Sequence, residues 1–339
     1  MVQSFFASGL MLKEMNHTFI TLIPKTPNPS TVHNFRPISL CNISYKIISK
    51  TLANRLKILL PKLITPWQAA AGPGRNIQDN SIIAHEIFHT LHQKRTGTSG
   101  MAALNLDLEK AFDKVEWPFL LSIFKHFGFS DKWIQMISQC ISTPSFFILI
   151  NGSPAGFFTS NRGIRQGDPI SPFLFILVTD VLSRLFLQKE ADSSLQGIKI
   201  ARNCPPISHL MFVDDLVVFS RANHDDLATV QSCLTQFQTW SGLSINKRKS
   251  AITFSRNVSP SCKISLRNLI GLNQPTSKNF YLGLPTHIQR GHQAQFNTIL
   301  EKINSRISGW KAKILSQAAK ATLIKSVLKL NTILLDAIL

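Results

Sequence analysis

Two runs of five strand-forming residues, 209–213 and 216–220, are separated only by Asp214 and Asp215. That spacing predicts a tight antiparallel hairpin with carboxylates at its tip. Adjacent acids between apolar strands are costly to bury unless something cationic neutralises them. Taken alone, the pair also reads as an exposed turn, where Asp is common. A second acidic cluster follows the apolar run 101–106, with Asp107, Glu109 and Asp113. Asp107 ends a predicted buried strand, where side chains meet a cleft. Beside Asp214 it completes a pair of acids able to hold two divalent ions for in-line phosphoryl transfer. The competing reading makes Asp107 a cap of the helix that follows.

The rest of the chain narrows what such carboxylates serve. Its 339 residues carry 37 Lys plus Arg against 18 Asp plus Glu, a formal charge of +19. Disorder is excluded, because 44% hydrophobic residues with 23 Phe and 5 Trp supply a core. The length suggests about two packed units. So much self-repulsion gives a folded chain no structural gain, so an anionic partner is expected, either nucleic acid or a membrane surface. The most apolar stretch, 172–178, is seven residues long and Asp180 follows, so no membrane span is expected where about 18 to 20 uncharged residues are needed. The first twelve residues lack a basic start and a small-residue cleavage site, so no signal peptide is expected and the setting is read as intracellular. Cys41, Cys140, Cys204, Cys233 and Cys262 are scattered and odd in number, and all are read as packing residues in reducing conditions.

Along the chain, 28–37 reads as a loop, 43–60 as an amphipathic helix ended by Pro61, and 81–94 as a second helix. Residues 101–106 form a buried strand. Pro118 opens a helix that Gly128 closes, and Ser130 and Asp131 start another. Residues 145–151 and 156–160 form a hairpin through Asn151-Gly152-Ser153-Pro154, and 170–188 is a long buried helix. From 278 onward nine Lys or Arg face two acids. There Lys302, Arg306 and Lys313 lie off an Ile303, Ile307, Trp310, Ile314 stripe, giving a basic helical surface that serves either a ligand or solvation alone.

One regular pattern misleads. His85-Glu86-Ile87-Phe88-His89 is H-E-x-x-H on a predicted helix, with His92 one turn further. Three successive turns of one helix cannot easily surround a tetrahedral ion, so no zinc site is expected here. There is no phosphate-binding G-x-x-x-x-G-K-[ST] either.

The ordered series of motifs is far more specific. It runs Leu22-Ile23-Pro24-Lys25, Phe35-Arg36-Pro37-Ile38-Ser39-Leu40, Tyr45-Lys46-Ile47-Ile48, Pro73-Gly74-Arg75 and Leu106-Asp107-Leu108-Glu109-Lys110-Ala111-Phe112-Asp113. Arg162-Gly163-Ile164-Arg165-Gln166-Gly167-Asp168-Pro169, Phe212-Val213-Asp214-Asp215, Gly242-Leu243-Ser244-Ile245-Asn246 with Lys249, and Tyr281-Leu282-Gly283-Leu284-Pro285 complete it. From Leu12 onward the chain resembles the reverse transcriptases of LINE-type (non-LTR) retrotransposons, the plant lineage in particular.

The resemblance implies an α+β right-hand polymerase fold: fingers over 1–100, a palm of antiparallel sheet plus helices over 101–285, and the start of a truncated helical thumb over 286–339. It implies that Asp107 and Asp214 hold two Mg²⁺, with the Leu108 carbonyl as a further ligand and Asp215 as a supporting carboxylate. Phe112 corresponds to the aromatic gate that excludes a 2′-OH, and Gln166 and Gly167 to the nucleotide and template pocket. Arg36 and Lys25 correspond to fingers cations that grip the triphosphate, and Lys249 to the lysine that steadies the leaving pyrophosphate. Arg75, Lys302, Arg306 and Lys313 are expected on nucleic acid. The implied partners are an RNA template, a DNA primer and deoxynucleoside triphosphates. Ala71 and Gly72 depart from the family's aromatic and aliphatic residues, a loss of about 2 to 5 kcal/mol if that position is buried. No upstream endonuclease is seen and the thumb stops short, so a decayed nucleic-acid-binding remnant is the alternative. An intron maturase would need a further RNA-binding domain, and an RNA-directed RNA polymerase would carry G-D-D where Val213 stands.

Overall fold

The computed structural model describes residues 1–71, 77–201, 203–272, 280–282, 284–285, 301 and 316–323. Its first sheet begins with β1 (His17–Pro24) and β2 (Phe35–Cys41), paired antiparallel so that Ile23 faces Arg36. Sequence reading places a loop over 28–37, yet β2 starts at Phe35. Pro37 is tolerated there because β2 is the sheet's edge. β1 also pairs in parallel with β4 (Ser145–Ile150), which turns back into β5 (Ser153–Thr159). The turn is shorter than the expected Asn-Gly-Ser-Pro: Asn151 and Gly152 alone make it, at φ 50° and 84°, the left-handed pair that a two-residue hairpin requires.

α2 (Ile43–Leu63) follows β2, opened by Asn42, whose side chain accepts from the Ser44 N–H at 3.3 Å. It buries Tyr45, Ile48, Leu52, Leu56 and Leu60 at helical spacing. Pro61 does not end it: the helix runs to Leu63, with Pro61 in the last turn.

The second sheet has the order β6-β7-β3-β8, antiparallel throughout. β3 (Met101–Asp107) lies between β7 (Asp215–Arg221) and β8 (Ala251–Phe254), and β6 (His209–Phe212) and β8 are the two edges. α3 (Ile77–Gln93) starts four residues earlier than expected; α4 (Trp117–His126) and α5 (Asp131–Ser142) lie close to the expected positions. α6 (Ser171–Ala191) buries Leu174, Phe175, Leu177, Val178, Leu182 and Phe186. By length and composition alone α6 passes for a membrane-crossing helix, although Asp180 interrupts it. Here 67% of that window is buried inside the protein, so it serves as the core helix under the second sheet. α7 (His224–Ser241) and α8 (Pro260–Ile270) pack beyond it, and Gly242 and Gly271 end them in left-handed conformation. All five cysteines are free, with Cys41, Cys140 and Cys233 buried and Cys204 and Cys262 partly so.

Between α6 and β6 lies a buried polar chain. His209 is fully buried, its Nε2 hydrogen-bonded with Ser183 Oγ at 2.6 Å and its Nδ1 with Ser208 Oγ at 3.0 Å. Burial lowers its pKa from 6.5 to about 3. The unfolded chain therefore binds a proton near pH 6.5 that the folded chain refuses until about pH 3. This contribution to stability is complete above pH 6.5 and is lost as the pH falls towards 3, at up to about 1.4 kcal/mol per pH unit. Urea midpoints measured from pH 7 to pH 4.5 should fall more steeply for the parent than for His209→Gln. Equal slopes would contradict the neutral, buried imidazole.

Candidate active site

The register places the carboxylates. Phe212 pairs with Asp215, so the hairpin closes over two residues, Val213 and Asp214. The tip is one residue earlier than the sequence spacing suggests: Asp215 already belongs to β7, opposite Asp107 at the end of β3. Val213 has φ 55°, a left-handed conformation that a β-branched residue adopts only under strain. Asp214 at the tip lines a cleft, whereas Asp215 in β7 is not among its lining residues.

Asp107 is anchored through its backbone. Its N–H donates to Ser250 Oγ at 3.0 Å and its carbonyl accepts from the Asn246 N–H at 2.7 Å. Leu108 bridges to Ile245 and Glu109 N–H donates to the Ser244 carbonyl at 2.8 Å, which carries the chain past the strand end on the 242–249 loop. Lys249, on the same loop, brings Nζ within 3.8 Å of Asp107 Oδ2. Asp107 is no helix cap, because Glu116 occupies that position on α4.

These groups open onto a cleft of about 1180 Å³. Asp107, Leu108 and Asp214 line it together with Lys25, Arg36, Phe112, Gln166, Gly167 and Lys249. Nine residues singled out from motifs as far apart as 25 and 249 thus share one cavity. Arg75, Lys302, Arg306 and Lys313 lie outside the described residues, as do Gly72 and the packing around Ala71. The Phe112 ring stacks on Phe175 of α6, centroids 4.9 Å apart and planes 13° from parallel, so the helix core fixes its height. Gly167 at φ 102° brings the backbone against β2, where an added Cβ would sit 3.0 Å from the Ser39 carbonyl oxygen. Ser39 N–H donates to the Gln166 carbonyl at 2.7 Å. That contact ties the first sheet to the loop entering α6.

Two further contributions come from residues to which the motif reading assigned no role. Lys110 and Asp113 also line the cleft. Loss of hydration raises the Asp113 carboxyl above its ordinary pKa, and the Lys110 and Lys25 charges pull it back. Beneath the Gln166-Gly167 turn, Arg165 and Asp168 form a buried ion pair at 3.0 Å. The Arg165 guanidinium also donates to Asn16 Oδ1 at 2.6 Å, Thr18 Oγ1 at 3.0 Å and the Cys140 carbonyl at 3.0 Å, and it lies 4.0 Å from the Tyr45 ring centroid. Asp168 accepts from the Tyr45 and Ser49 hydroxyls. β1, α2 and α5 are thereby locked to the loop that presents Gln166. The signal was present as R-Q-G-D, but Asn16, Thr18, Tyr45 and Ser49 lie more than a hundred residues away in sequence.

The H-E-x-x-H residues sit on α3 away from this cleft. His89 Nε2 is hydrogen-bonded with Gln93 Nε2 at 2.9 Å, and burial lowers the His85 pKa. Among the described residues no three His, Cys, Asp or Glu side chains converge on a metal position. The oxygen donors on the cleft lining, the Asp107 and Asp214 carboxylates and the Leu108 carbonyl, are of the type that suits a hard divalent cation.

Residues 23–286 match the family described as reverse transcriptase (RNA-dependent DNA polymerase). The chain belongs to that family. It is 27% identical over 322 residues to the transposon TX1 uncharacterized 149 kDa protein of Xenopus laevis, covering 94% of this chain and 24% of that one. With a Pol polyprotein from type-1 retrotransposable element R2 of Popillia japonica it shares 27% identity over 231 residues, 68% of this chain and 31% of the relative. The chain thus spans a third or less of the length of these relatives. Telomerase from Candida tropicalis in complex with a TWJ fragment of telomeric RNA superposes with a TM-score of 0.53 at 15% identity, covering 97% of this chain and 56% of that one. This reverse transcriptase domain accordingly has the right-hand polymerase fold.

Proposed function

We propose that the chain is the RNA-directed DNA polymerase of a LINE-type element of the plant lineage, copying an RNA template onto a DNA primer from deoxynucleoside triphosphates. The observation that carries this reading is the shared cleft, in which Asp107 and Asp214 stand beside Phe112, Gln166, Arg36 and Lys249. The carboxylates of Asp107 and Asp214 and the Leu108 carbonyl would hold two Mg²⁺. When bound, these ions supply Lewis acidity that activates the primer 3′-OH and neutralises the leaving pyrophosphate. Asp215 supports the site from the neighbouring strand.

The chain's own residues do the rest. Arg36, with its planar guanidinium, and Lys25 grip the triphosphate. Gln166 and Gly167 floor the nucleotide pocket, where the bare glycine lets the backbone approach closely. Lys249 steadies the departing pyrophosphate. Fingers over 1–100, palm over 101–285 and thumb from 286 are the corresponding divisions. Arg75, Lys302, Arg306 and Lys313 are assigned to the nucleic acid, and the setting is intracellular.

The Phe112 ring closes the space beside the incoming sugar. Phe112→Val should therefore raise the ratio of ribonucleotide to deoxynucleotide incorporation by on the order of 10²-fold, through discrimination rather than chemistry. RNA-templated extension of a DNA primer with dATP and with ATP, in parent and variant, tests both the polymerase reading and the gate. An unchanged ratio removes the gate, and no extension by the parent removes the polymerase and leaves a binding remnant.

A further inference from the structure

β6 is an edge of the second sheet, yet its outward backbone groups are not left to water. Met211 N–H donates to the Trp67 carbonyl at 3.0 Å, and the Met211 carbonyl accepts from Asn80 Nδ2 at 3.0 Å. One residue pair further, Val213 N–H donates to Gln68 Oε1 at 3.1 Å. Gln68 bridges in parallel to Met211 and is fully buried. Its Nε2 donates at 3.3 Å to the Thr179 hydroxyl, itself bonded to the Phe175 carbonyl at 3.1 Å on α6. The amide therefore joins the left-handed turn residue before Asp214 to the helix turn on which the Phe112 ring stacks.

From this geometry we infer that Gln68 is a positioning residue for Asp214, its buried amide holding Val213 in the left-handed conformation that aims the neighbouring carboxylate. The inference rests on the polymerase reading for its consequence, and on the hairpin alone for its structure. A β-branched residue does not remain at φ 55° without something that outweighs the strain. The first turn residue of a two-residue hairpin also has no partner for its N–H within the hairpin. Gln68 Oε1 satisfies that donor. Thr179 fixes which end of the amide faces it, because Nε2 must donate and Oε1 must accept.

The test replaces the acceptor at nearly constant shape. In Gln68→Met, amide exchange of a peptide covering 207–216 should quicken by about tenfold, the loss of one hydrogen bond. The Mn²⁺ affinity of the duplex-bound protein, read by electron paramagnetic resonance, should fall several-fold. The kcat for single-nucleotide addition should fall as well, while the duplex Kd stays as in the parent. Glycine occupies the left-handed region freely, so in a Val213→Gly background Gln68→Met should cost much less in Mn²⁺ affinity and kcat. A merely structural glutamine would not be rescued that way. If Gln68→Met does not fold, Thr179→Val, which removes only the partner orienting the amide, should reproduce the shifts in weaker form and with the same rescue. Parental exchange and Mn²⁺ affinity in the variants, or a deficit that Val213→Gly leaves intact, would overturn the inference. Absence of RNA-templated synthesis by the parent would instead sink the polymerase reading, with exchange and Mn²⁺ binding still deciding the role of Gln68.

Discussion

Asp107→Asn and Asp214→Asn, made separately, should each lower RNA-templated nucleotide addition by on the order of 10³-fold or more, about 4 kcal/mol of transition-state stabilisation. Both keep the shape of the side chain and remove its charge, so the hairpin and the β3 end should persist. Duplex affinity should stay within about twofold, because phosphates are held by the basic surface of a chain with net charge +19 and not by two acids. Rapid-quench single turnover separates the two quantities. A variant that keeps most of its rate would show that the carboxylate in question does not hold the metal. Asp215→Asn should cost less than either, since Asp215 belongs to β7 and is absent from the cleft lining.

The largest effect on stability is expected under the Gln166 loop. Arg165→Met would leave the Asp168 carboxylate 3% exposed and without its counter-ion. It would also remove the guanidinium donor to Asn16 Oδ1 and leave the Cys140 carbonyl with only the longer bond from Asn16 Nδ2 at 3.5 Å. Breaking a buried pair by removing one partner costs about 3 to 5 kcal/mol, to be read as a fall in the urea midpoint at unchanged m-value. Adding Asp168→Asn to Arg165→Met should recover part of that loss, because the stranded charge goes while the amide oxygen still accepts from one of the two hydroxyls, Tyr45 or Ser49, which donate to different carboxylate oxygens in the parent. A loss below about 1 kcal/mol for Arg165→Met would mean that water replaces the guanidinium and that the pair does not hold the loop.

Local pattern made much of this legible. The apolar run closed by Asp107 reads as a buried strand because both faces of β3 are covered, and Phe175 and its neighbours read as a core helix because apolar residues surround α6 on nearly every side. The cleft residues were found because motif chemistry survives as residue type: a guanidinium at 36, an aromatic ring at 112, an amide at 166. Register was less legible. Placing the turn at Val213 and Asp214, instead of at the two acids, requires knowing that Asp215 pairs with Phe212 and faces Asp107, and a strained valine is the last residue propensity would choose there. The parallel pairing of β1 with β4 joins residues more than a hundred apart, and β2 looks like loop because Pro37 and its Ser- and Asn-rich approach suit an edge. Arg165 and Gln68 escaped for a related reason, since a buried polar side chain is identified by partners that only the fold supplies.

The central claim is that Asp107, Asp214 and the residues around them copy RNA into DNA. It is tested most directly by incubating this chain with a DNA primer annealed to an RNA template, Mg²⁺ and the four deoxynucleoside triphosphates, and resolving the primer by length and sequence. The account predicts a primer extended by the template's complement, with no product from Asp214→Asn and none when the divalent ion is chelated. Primer bound but never lengthened, under conditions where the parent is folded and saturated with duplex, would contradict it.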